Sequence, residues 1–574
     1  MRRSRCVLAA VLAAVALLAG CASIPTSGPV QVGHGGRGGG QGQEPIQVFA
    51  QRPHPGWTPA QIVTGFLAAM ASPDADHAVA RSYLTPDIRE NWPTDQTTAV
   101  VVYARDENFR LDIGRDNTVT VSAAQVATIS NRREYRPSPQ DATMHAVFRM
   151  QRVDGQWRIG SLPGTLLLDE TDAVSGYVPF DLYFFNRSAG VLVPDPVVLP
   201  AGDSDEWASE LLRGLLAGPT PSLADGVTSA IPKGTSLDAQ PVLDSGGTLN
   251  VALGGSAAGL TGEPRRRMIA EIVATLMRVD GVSKVRVQTD ATQTAPAYRD
   301  DVYAGYDPSR VVRQLRGYFV RDGKLTAVDT SSAGVRSLKG PFGTGAVRFK
   351  SPAVSLDATR AAAVSSSGRS LYVGPLDAAG KIELLYHGTE LSSPSWDRYG
   401  DLWVVDNGSG GPRVLVFRHG RGTPVTASAP DLARTDVSAV RVAWDGARIA
   451  FVTSGGRAGE LLTGVVSRQR QGIGVHAVRP VAPSVTDADD VWWYDQRSLA
   501  VVGREQSDLL ATYVATVDGL SITKASSVSD VSSVAAAPGQ PLLISDSSGR
   551  LSVASPTEFS STSVGRGTDP TYPG

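Results

Sequence analysis

Pro394-Ser395-Trp396-Asp397 leading to Leu402 to Val405, and Val442-Ala443-Trp444-Asp445 leading to Ile449 to Val452, repeat one phrase: an apolar stretch, an aspartate at a short turn, a second apolar stretch. Val354-Ser355-Leu356-Asp357 before Ala361 to Val364 repeats it, as does Trp492-Trp493-Tyr494-Asp495 before Leu499 to Val502. The aspartates stand roughly 40 to 50 residues apart. That period, filled with short strands, marks a β-propeller whose four-stranded blades pack face to face. A weaker copy, Ser533-Val534-Ala535-Ala536-Ala537 and then Pro541 to Ile544, follows the fourth. The hairpin Gly317 to Val328, around Asp322-Gly323, is suited to part of a first blade closed by strands from the C-terminus. A propeller of about six blades is therefore expected over residues 313–574. Asp357, Asp397, Asp445 and Asp495 read as turn residues accepting backbone hydrogen bonds, in preference to a ring of metal or catalytic carboxylates. Trp396 and Trp444, equivalent by this phrase, are expected to pack against neighbouring blades.

Upstream, between residues 180 and 290, the pattern alternates between two periods. Leu182 to Phe185 reads as a strand, and Asp203-Ser204 starts a helix with Trp207, Leu211, Leu212, Leu215 and Leu216 on one face, stopped by Gly218-Pro219. A strand is expected at Leu249 to Leu253. Pro264 opens a second helix with Met268, Ile269, Ile272, Val273, Leu276 and Met277 inward, Gly281 ends it, and Val282 to Val287 alternates as a strand. The unit is α/β, in the order β-α-β-α-β. Gly254-Gly255 with Gly259 and Gly262 has the spacing of neither phosphate-binding glycine motif and reads as a glycine loop. Residues 291–312 are expected to be a linker.

Residues 46–170 form a further α+β unit. Thr58-Pro59 caps a helix in which Ile62, Val63, Phe66, Leu67 and Met70 recur at helical spacing, and a short helix precedes Tyr83-Leu84-Thr85-Pro86. Alternation then takes over at Ala99 to Tyr103, Phe109 to Ile113, Val119 to Ile129 and Ala142 to Arg152, which returns through Asp154-Gly155 to Trp157-Arg158-Ile159. Helices followed by a meander are the expectation.

Composition narrows the chemistry. The only two cysteines are Cys6 and Cys21. Met1-Arg2-Arg3-Ser4-Arg5 is a positive leader start, and the apolar run Val7 to Ala19 is shorter than the roughly 20 residues of a spanning helix. Leu18-Ala19-Gly20-Cys21 at its end resembles the lipobox at which bacterial prolipoproteins are cut and lipidated; the alternative is an ordinary secretory signal with an incidental cysteine. Residues 1–20 are thus read as a lipoprotein signal peptide and Cys21 as the lipid attachment site, at the outer face of the plasma membrane. Residues 21–45, with the Gly-rich run Gly33 to Gly42, are read as a flexible tether. With Cys6 removed and Cys21 lipidated, the mature body has no thiol for a disulfide, a thiolate zinc site or a cysteine nucleophile. His34, His54, His77, His145, His387, His419 and His476 form no close pair in sequence, and a net charge of -2 does not suggest nucleic acid. No nucleophile elbow, paired-carboxylate motif, metal cluster or cofactor fingerprint is read, so no catalytic, metal or cofactor residue is assigned.

Three resemblances follow from these residues. The order of the first domain resembles the nuclear-transport-factor-2-like (NTF2-like) cone, whose pocket holds a ligand or is filled by core residues. The phrases Leu211-Leu212-Arg213-Gly214-Leu215-Leu216-Ala217-Gly218-Pro219, Ser229-Ala230-Ile231-Pro232-Lys233-Gly234-Thr235 and Ala274-Thr275-Leu276 to Val282 resemble the GerMN domain of sporulation and germination proteins, which implies a cell-surface interaction module without a catalytic centre. Lipobox, α+β domain, GerMN unit, propeller and the ending Gly567-Thr568-Asp569-Pro570-Thr571-Tyr572-Pro573-Gly574 together resemble the actinobacterial lipoprotein LpqB family. That resemblance implies a non-enzymatic accessory protein of the MtrA and MtrB two-component system, contacting the extracytoplasmic domain of the sensor kinase MtrB and influencing envelope homeostasis and division. Two other functions compete with it: a propeller-based hydrolase or lyase of envelope polysaccharide, and a solute-binding lipoprotein.

Overall fold

The structure is a computed structural model and describes residues 51–71, 77–92, 99–187, 190–289, 295–311, 315–345, 347–455, 459–470, 472–505 and 509–574. Cys21 and the Gly33 to Gly42 run lie outside them.

In the N-terminal domain the helix Pro59–Met70 opens with a capping box: Gln61 N donates to Thr58 Oγ1 and Thr58 N to Gln61 Oε1. Its buried residues Ile62, Val63, Phe66, Leu67 and Met70 face a seven-stranded sheet. The strand Thr143–Val153 shows why that sheet has a core side, since Met144, Ala146, Phe148 and Met150 alternate inward between exposed residues. Phe66 lies against Tyr83, Trp92 and Phe148 with ring centroids 6.4, 5.4 and 6.0 Å away, so core residues fill the space between helix and sheet. One strand departs from the expected meander. Leu166–Asp169 crosses back to pair in parallel with Val100–Tyr103, and helix Glu170–Gly176 follows it directly.

The middle domain begins with a long hairpin, Tyr177–Asn186 against Leu192–Pro200. The second of these strands, which hydrophobic alternation alone does not reveal, carries Pro194, Pro196 and Pro200. It pairs only with Tyr177–Asn186 within its sheet, and an edge strand tolerates the missing N–H donors. Helix Ser204–Ala217 starts with a second capping box, between Asp203 and Glu206. The second sheet has Thr248–Gly255 and Lys284–Gln288 parallel at its centre. Helix Gly262–Leu276 lies between the two sheets, and from Met268 onward it is buried on every side, with Ala270, Glu271, Ala274 and Thr275 as enclosed as the apolar face read from sequence. A Cβ on Gly255, at φ +60°, would run into the carbonyl oxygen of Gly234, which accounts for the paired glycines without a phosphate. The stretch expected as a linker carries structure: Ala297–Tyr298 joins the second sheet, and Tyr303 and Tyr306 pack on the domain core.

Six four-stranded sheets follow among the described residues. Blade 1 contains Gly317–Arg321, Lys324–Asp329 and Gly334–Ser337, and its fourth strand is the C-terminal Thr568–Thr571, so the ring closes by joining the two ends of the domain. Blades 2 to 6 start with the inner strands Phe349–Val354, Ser395–Trp396, Asp436–Val442, Thr486–Trp493 and Val531–Ala535 and run outward in chain order. Tyr572, fully buried, donates its hydroxyl to the Pro541 carbonyl at 2.8 Å and ties the closing segment to blade 6.

Trp396 packs as expected. It is 1% exposed, shares a core with Ala353, Ala362 and Val373 of blade 2, and donates Nε1 to the Ala353 carbonyl at 3.3 Å. Trp444 is also buried, but it is not the counterpart of Trp396. Strand pairing aligns Trp396 with Val442 and Trp493, because Leu402, Ile449 and Leu499 lie opposite them. The Asp445 turn begins two residues earlier relative to its aspartate than the Asp397 turn does. Trp444 therefore sits within its turn, in a cluster that includes Phe319 of blade 1 and Trp492 of blade 5.

Candidate interaction surface

The repeated aspartates all lie in the turns after the inner strands, on one face of the propeller. Asp357 accepts from Ser355 Oγ at 2.6 Å and Thr359 N at 3.1 Å; Asp445 accepts from Ala447 N at 2.7 Å and Arg448 Nη2 at 2.6 Å; Asp495 accepts from Arg497 N at 2.7 Å. Asp397 takes the amides of Tyr399 and Asp401 and Nε1 of Trp403 at 2.7 Å, with Arg468 closing its other side. These carboxylates are occupied by their own turns and by neighbouring arginines. No group of three or more His, Cys, Asp or Glu is arranged for a metal ion among the described residues.

Three serine–histidine contacts occur: Ser122 with His145 at 2.9 Å, Ser370 with His387 at 3.1 Å, and Ser467 with His476 at 2.9 Å. Each joins adjacent strands of one sheet, the first two as directly opposed residues. Cross-strand pairing explains these contacts, and among the described residues none of the three histidines has a carboxylate on its second ring nitrogen to complete a triad.

The middle domain docks on this turn-bearing face. Asn186 donates Nδ2 to the Asp445 carbonyl at 2.6 Å and approaches Tyr399 Oη at 3.2 Å, and Ala447 and Val465 of blade 4 belong to the middle domain's own core. Arg497 of blade 5 places Nε 3.1 Å from Asp181 Oδ2. The segment before the propeller joins the contact, with Gln496 Nε2 donating to Asp307 at 2.7 Å. The N-terminal domain enters from the side. Val198 N donates to the Arg133 carbonyl at 2.9 Å, and buried Glu134 accepts from Ser222 and Arg136 with Arg479 of blade 4 at 3.9 Å. Glu134, Asp195, Thr220, Arg448, Arg479 and Trp493 surround a small cavity of about 50 Å³ where the three domains meet.

Burial shifts several carboxyls in this region. Asp181 is pushed up to about 6 by desolvation, against the opposing charge of Arg497. Asp195 is pushed up to about 7 by burial although Thr220 donates both its amide and its hydroxyl at 2.7 Å. Glu271 is pushed up to about 8 by burial within helix Gly262–Leu276. Its oxygens accept from Ser229 Oγ at 2.5 Å and Ala230 N at 2.6 Å, so the buried Glu271 carboxyl holds the start of the Ser229 to Thr235 phrase in place. None of these three acids was singled out from sequence. Glu271 stands in an apolar helical run, and its partners are 41 and 42 residues away.

Three open surfaces carry larger cavities among the described residues, one of about 460 Å³ beside Arg105 and Asp169 of the N-terminal domain. The solvent side of the middle domain's second sheet holds a groove of about 370 Å³ beside Val242, Asn250, Arg286 and Gln288. A cleft of about 450 Å³ between the turns of blades 2 and 3 lies next to Tyr399.

Residues 52–174 match the model of the lipoprotein LpqB N-terminal domain, 181–293 that of the sporulation and spore germination domain (Germane), and 323–573 that of the lipoprotein LpqB beta-propeller domain. Lipoprotein LpqB of Thermobifida fusca is 32% identical, the match covering 97% of this chain and 97% of that one. The chain belongs to the lipoprotein LpqB family. LpqB of Streptomyces coelicolor is likewise 32% identical, over 100% of this chain and 98% of its own. Among solved structures, TolB from Acinetobacter baumannii superposes weakly on 52% of this chain and 85% of its own, with 16% identity and a TM-score of 0.36. The LpqB family name indicates a membrane-anchored lipoprotein, and no helix among the described residues is long and apolar enough to cross a membrane.

Proposed function

We propose that this LpqB chain is a non-catalytic accessory lipoprotein, held by lipid on Cys21 at the outer face of the plasma membrane, that binds the extracytoplasmic domain of the sensor kinase MtrB and modulates MtrA/MtrB signalling in envelope homeostasis and division. The carrying observation is the docking of the middle domain on the propeller through a shared core and the Asn186 and Asp181 contacts. Joined in this way, the two domains present a preorganised surface, which lowers the entropic cost of recognising another protein. The turn aspartates are occupied structurally and the serine–histidine contacts are cross-strand pairs, which favours recognition over glycan cleavage. Lipidation would confine both proteins to one membrane and raise their effective concentration, so a weak interface suffices.

A photo-crosslinking residue placed in cells at exposed Val242 of the middle domain or Leu384 of blade 2 is expected to capture MtrB, while one at exposed Ile113 of the N-terminal domain is not. Capture from Ile113 alone moves the contact to the N-terminal domain. Capture from none of the three positions contradicts the partner.

A further inference from the structure

The cleft between blades 2 and 3 is lined by three guanidinium groups whose charge the protein leaves unpaired. Arg360 donates to the backbone carbonyls of His419 and Gly420 and lies over the Trp396 ring, its centre 5.6 Å from the ring centroid. Arg398 donates Nη1 to the Trp444 carbonyl at 2.6 Å. Arg421 is exposed and makes no side-chain hydrogen bond or ion pair among the described residues. None of the three has a carboxylate within ion-pair distance among the described residues. Of five N–H donors on each guanidinium, carbonyls take two on Arg360 and one on Arg398. Of the carboxylates in the cleft, Asp397 is paired with Arg468, and Asp357 is held in its turn by Ser355 and Thr359, so three guanidinium groups face one carboxylate that lies outside ion-pair distance of them.

The positive wall is also preorganised. His419 adopts a left-handed backbone, φ 48°, held by its amide donating to Asp401 Oδ1 at 3.0 Å, and this conformation turns its carbonyl to Arg360. Gly420 allows that backbone to lie directly on Trp396, where a Cβ would collide with the indole. Burial and the nearby charge of Arg421 press against the charged form of Arg360 and outweigh the opposing field of Glu383 and Asp357, a stress that an incoming anion relieves.

We propose that this cleft binds an acidic peptide segment of a protein partner, with Arg360, Arg398 and Arg421 taking its carboxylates. Guanidinium forks fit carboxylates in a bidentate manner, and Leu356 and Tyr399 on the cleft walls suit the stems of peptide side chains. Arg360 and Arg398 are partly buried, so a flat layer of lipid headgroups does not reach them as a protruding segment does. The proposal does not depend on which protein supplies the segment.

The test uses the full-length lipoprotein in detergent micelles and the fluorescein-labelled octapeptide of alternating serine and glutamate, read by fluorescence anisotropy, with the serine–glutamine octapeptide as control. The glutamate peptide is expected to bind and the glutamine peptide not to. Raising sodium chloride from roughly 0.05 to 0.5 M weakens binding about tenfold or more. Arg360→Gln weakens it about tenfold, and Arg421→Gln, which breaks no internal bond, about fivefold at an unchanged melting temperature. Equal binding of the two peptides, or of wild type and Arg421→Gln, overturns the proposal. So does a melting shift by dihexanoyl phosphatidylglycerol that Arg421→Gln abolishes while no peptide binds, which assigns the cleft to lipid headgroups.

Discussion

Arg497 of blade 5 and Asp181 of the middle domain meet with Nε and Oδ2 3.1 Å apart, yet neither carboxylate oxygen takes an aligned hydrogen bond. Charge proximity alone opposes the burial that raises Asp181 to about 6. Arg497→Gln removes the largest part of that support, Arg278 and Arg448 supplying the rest, and since Arg497 is one-third exposed the expected loss is about 1 to 2 kcal/mol. The loss is present at pH 8 and disappears below about 5, where Asp181 is protonated in either chain. Amide exchange along Tyr177–Asn186 should quicken in the variant at pH 8. A loss of equal size at both pH values contradicts the assignment.

Glu271 makes a second prediction, with a defined sign. Its folded value, about 8, lies above the ordinary 4.5 of an unfolded glutamate. The folded chain therefore holds the extra proton, and this group's stabilisation is complete below about 4.5 and lost as pH rises through 8. Glu271→Gln keeps the shape and stays neutral. It should melt with wild type at pH 4.5 and above it at pH 8.5, by on the order of 2 to 4 kcal/mol. Parallel melting curves across that range would rule out a neutral Glu271.

The tryptophans test the blade register. Trp396→Ala and Trp493→Ala each remove an indole that donates to the preceding blade, to Ala353 and Arg441 carbonyls, and should cost about 3 to 5 kcal/mol in urea unfolding. Trp444→Ala, in a turn with the residue 8% exposed and no indole hydrogen bond to another blade among the described residues, should cost about 1 kcal/mol less. Equal costs for Trp396 and Trp444 would restore the register read from the aspartates.

That register shows what the sequence makes legible. The repeated apolar–Asp–apolar phrase reports blades because turn chemistry is local, and the closing of Gly317–Arg321 by C-terminal residues follows from the ring's need to pair its first strand. Turn length is less visible: Asp397 follows Trp396 directly, whereas Asp445 stands three residues beyond Val442. Leu192–Pro200 escapes because its three prolines hide a strand that only edge placement permits. Glu271 and the Arg497–Asp181 contact escape because their partners come from far along the chain. The cleft arginines escape for the same reason, since Arg360, Arg398 and Arg421 come from three separate turns.

Anchoring gives a fourth prediction. Diacylation of Cys21 with acylation of the new amino group buries enough methylenes, at about 0.8 kcal/mol each, for permanent attachment, where one chain is marginal. Cys21→Ala should accumulate as unprocessed or released protein. Recovery of that variant in membranes at the mature mass would contradict lipidation at Cys21.

The most direct measurement of the accessory role reconstitutes the full-length lipoprotein with the MtrB kinase in the same proteoliposomes and follows phosphoryl transfer to MtrA. Lipoprotein on the same face as the kinase's extracytoplasmic domain should change the transfer rate severalfold, and lipoprotein confined to separate vesicles should leave it unchanged, because confinement supplies the effective concentration a weak interface needs. An identical rate with and without the co-inserted lipoprotein, at saturating lipoprotein, would contradict the account.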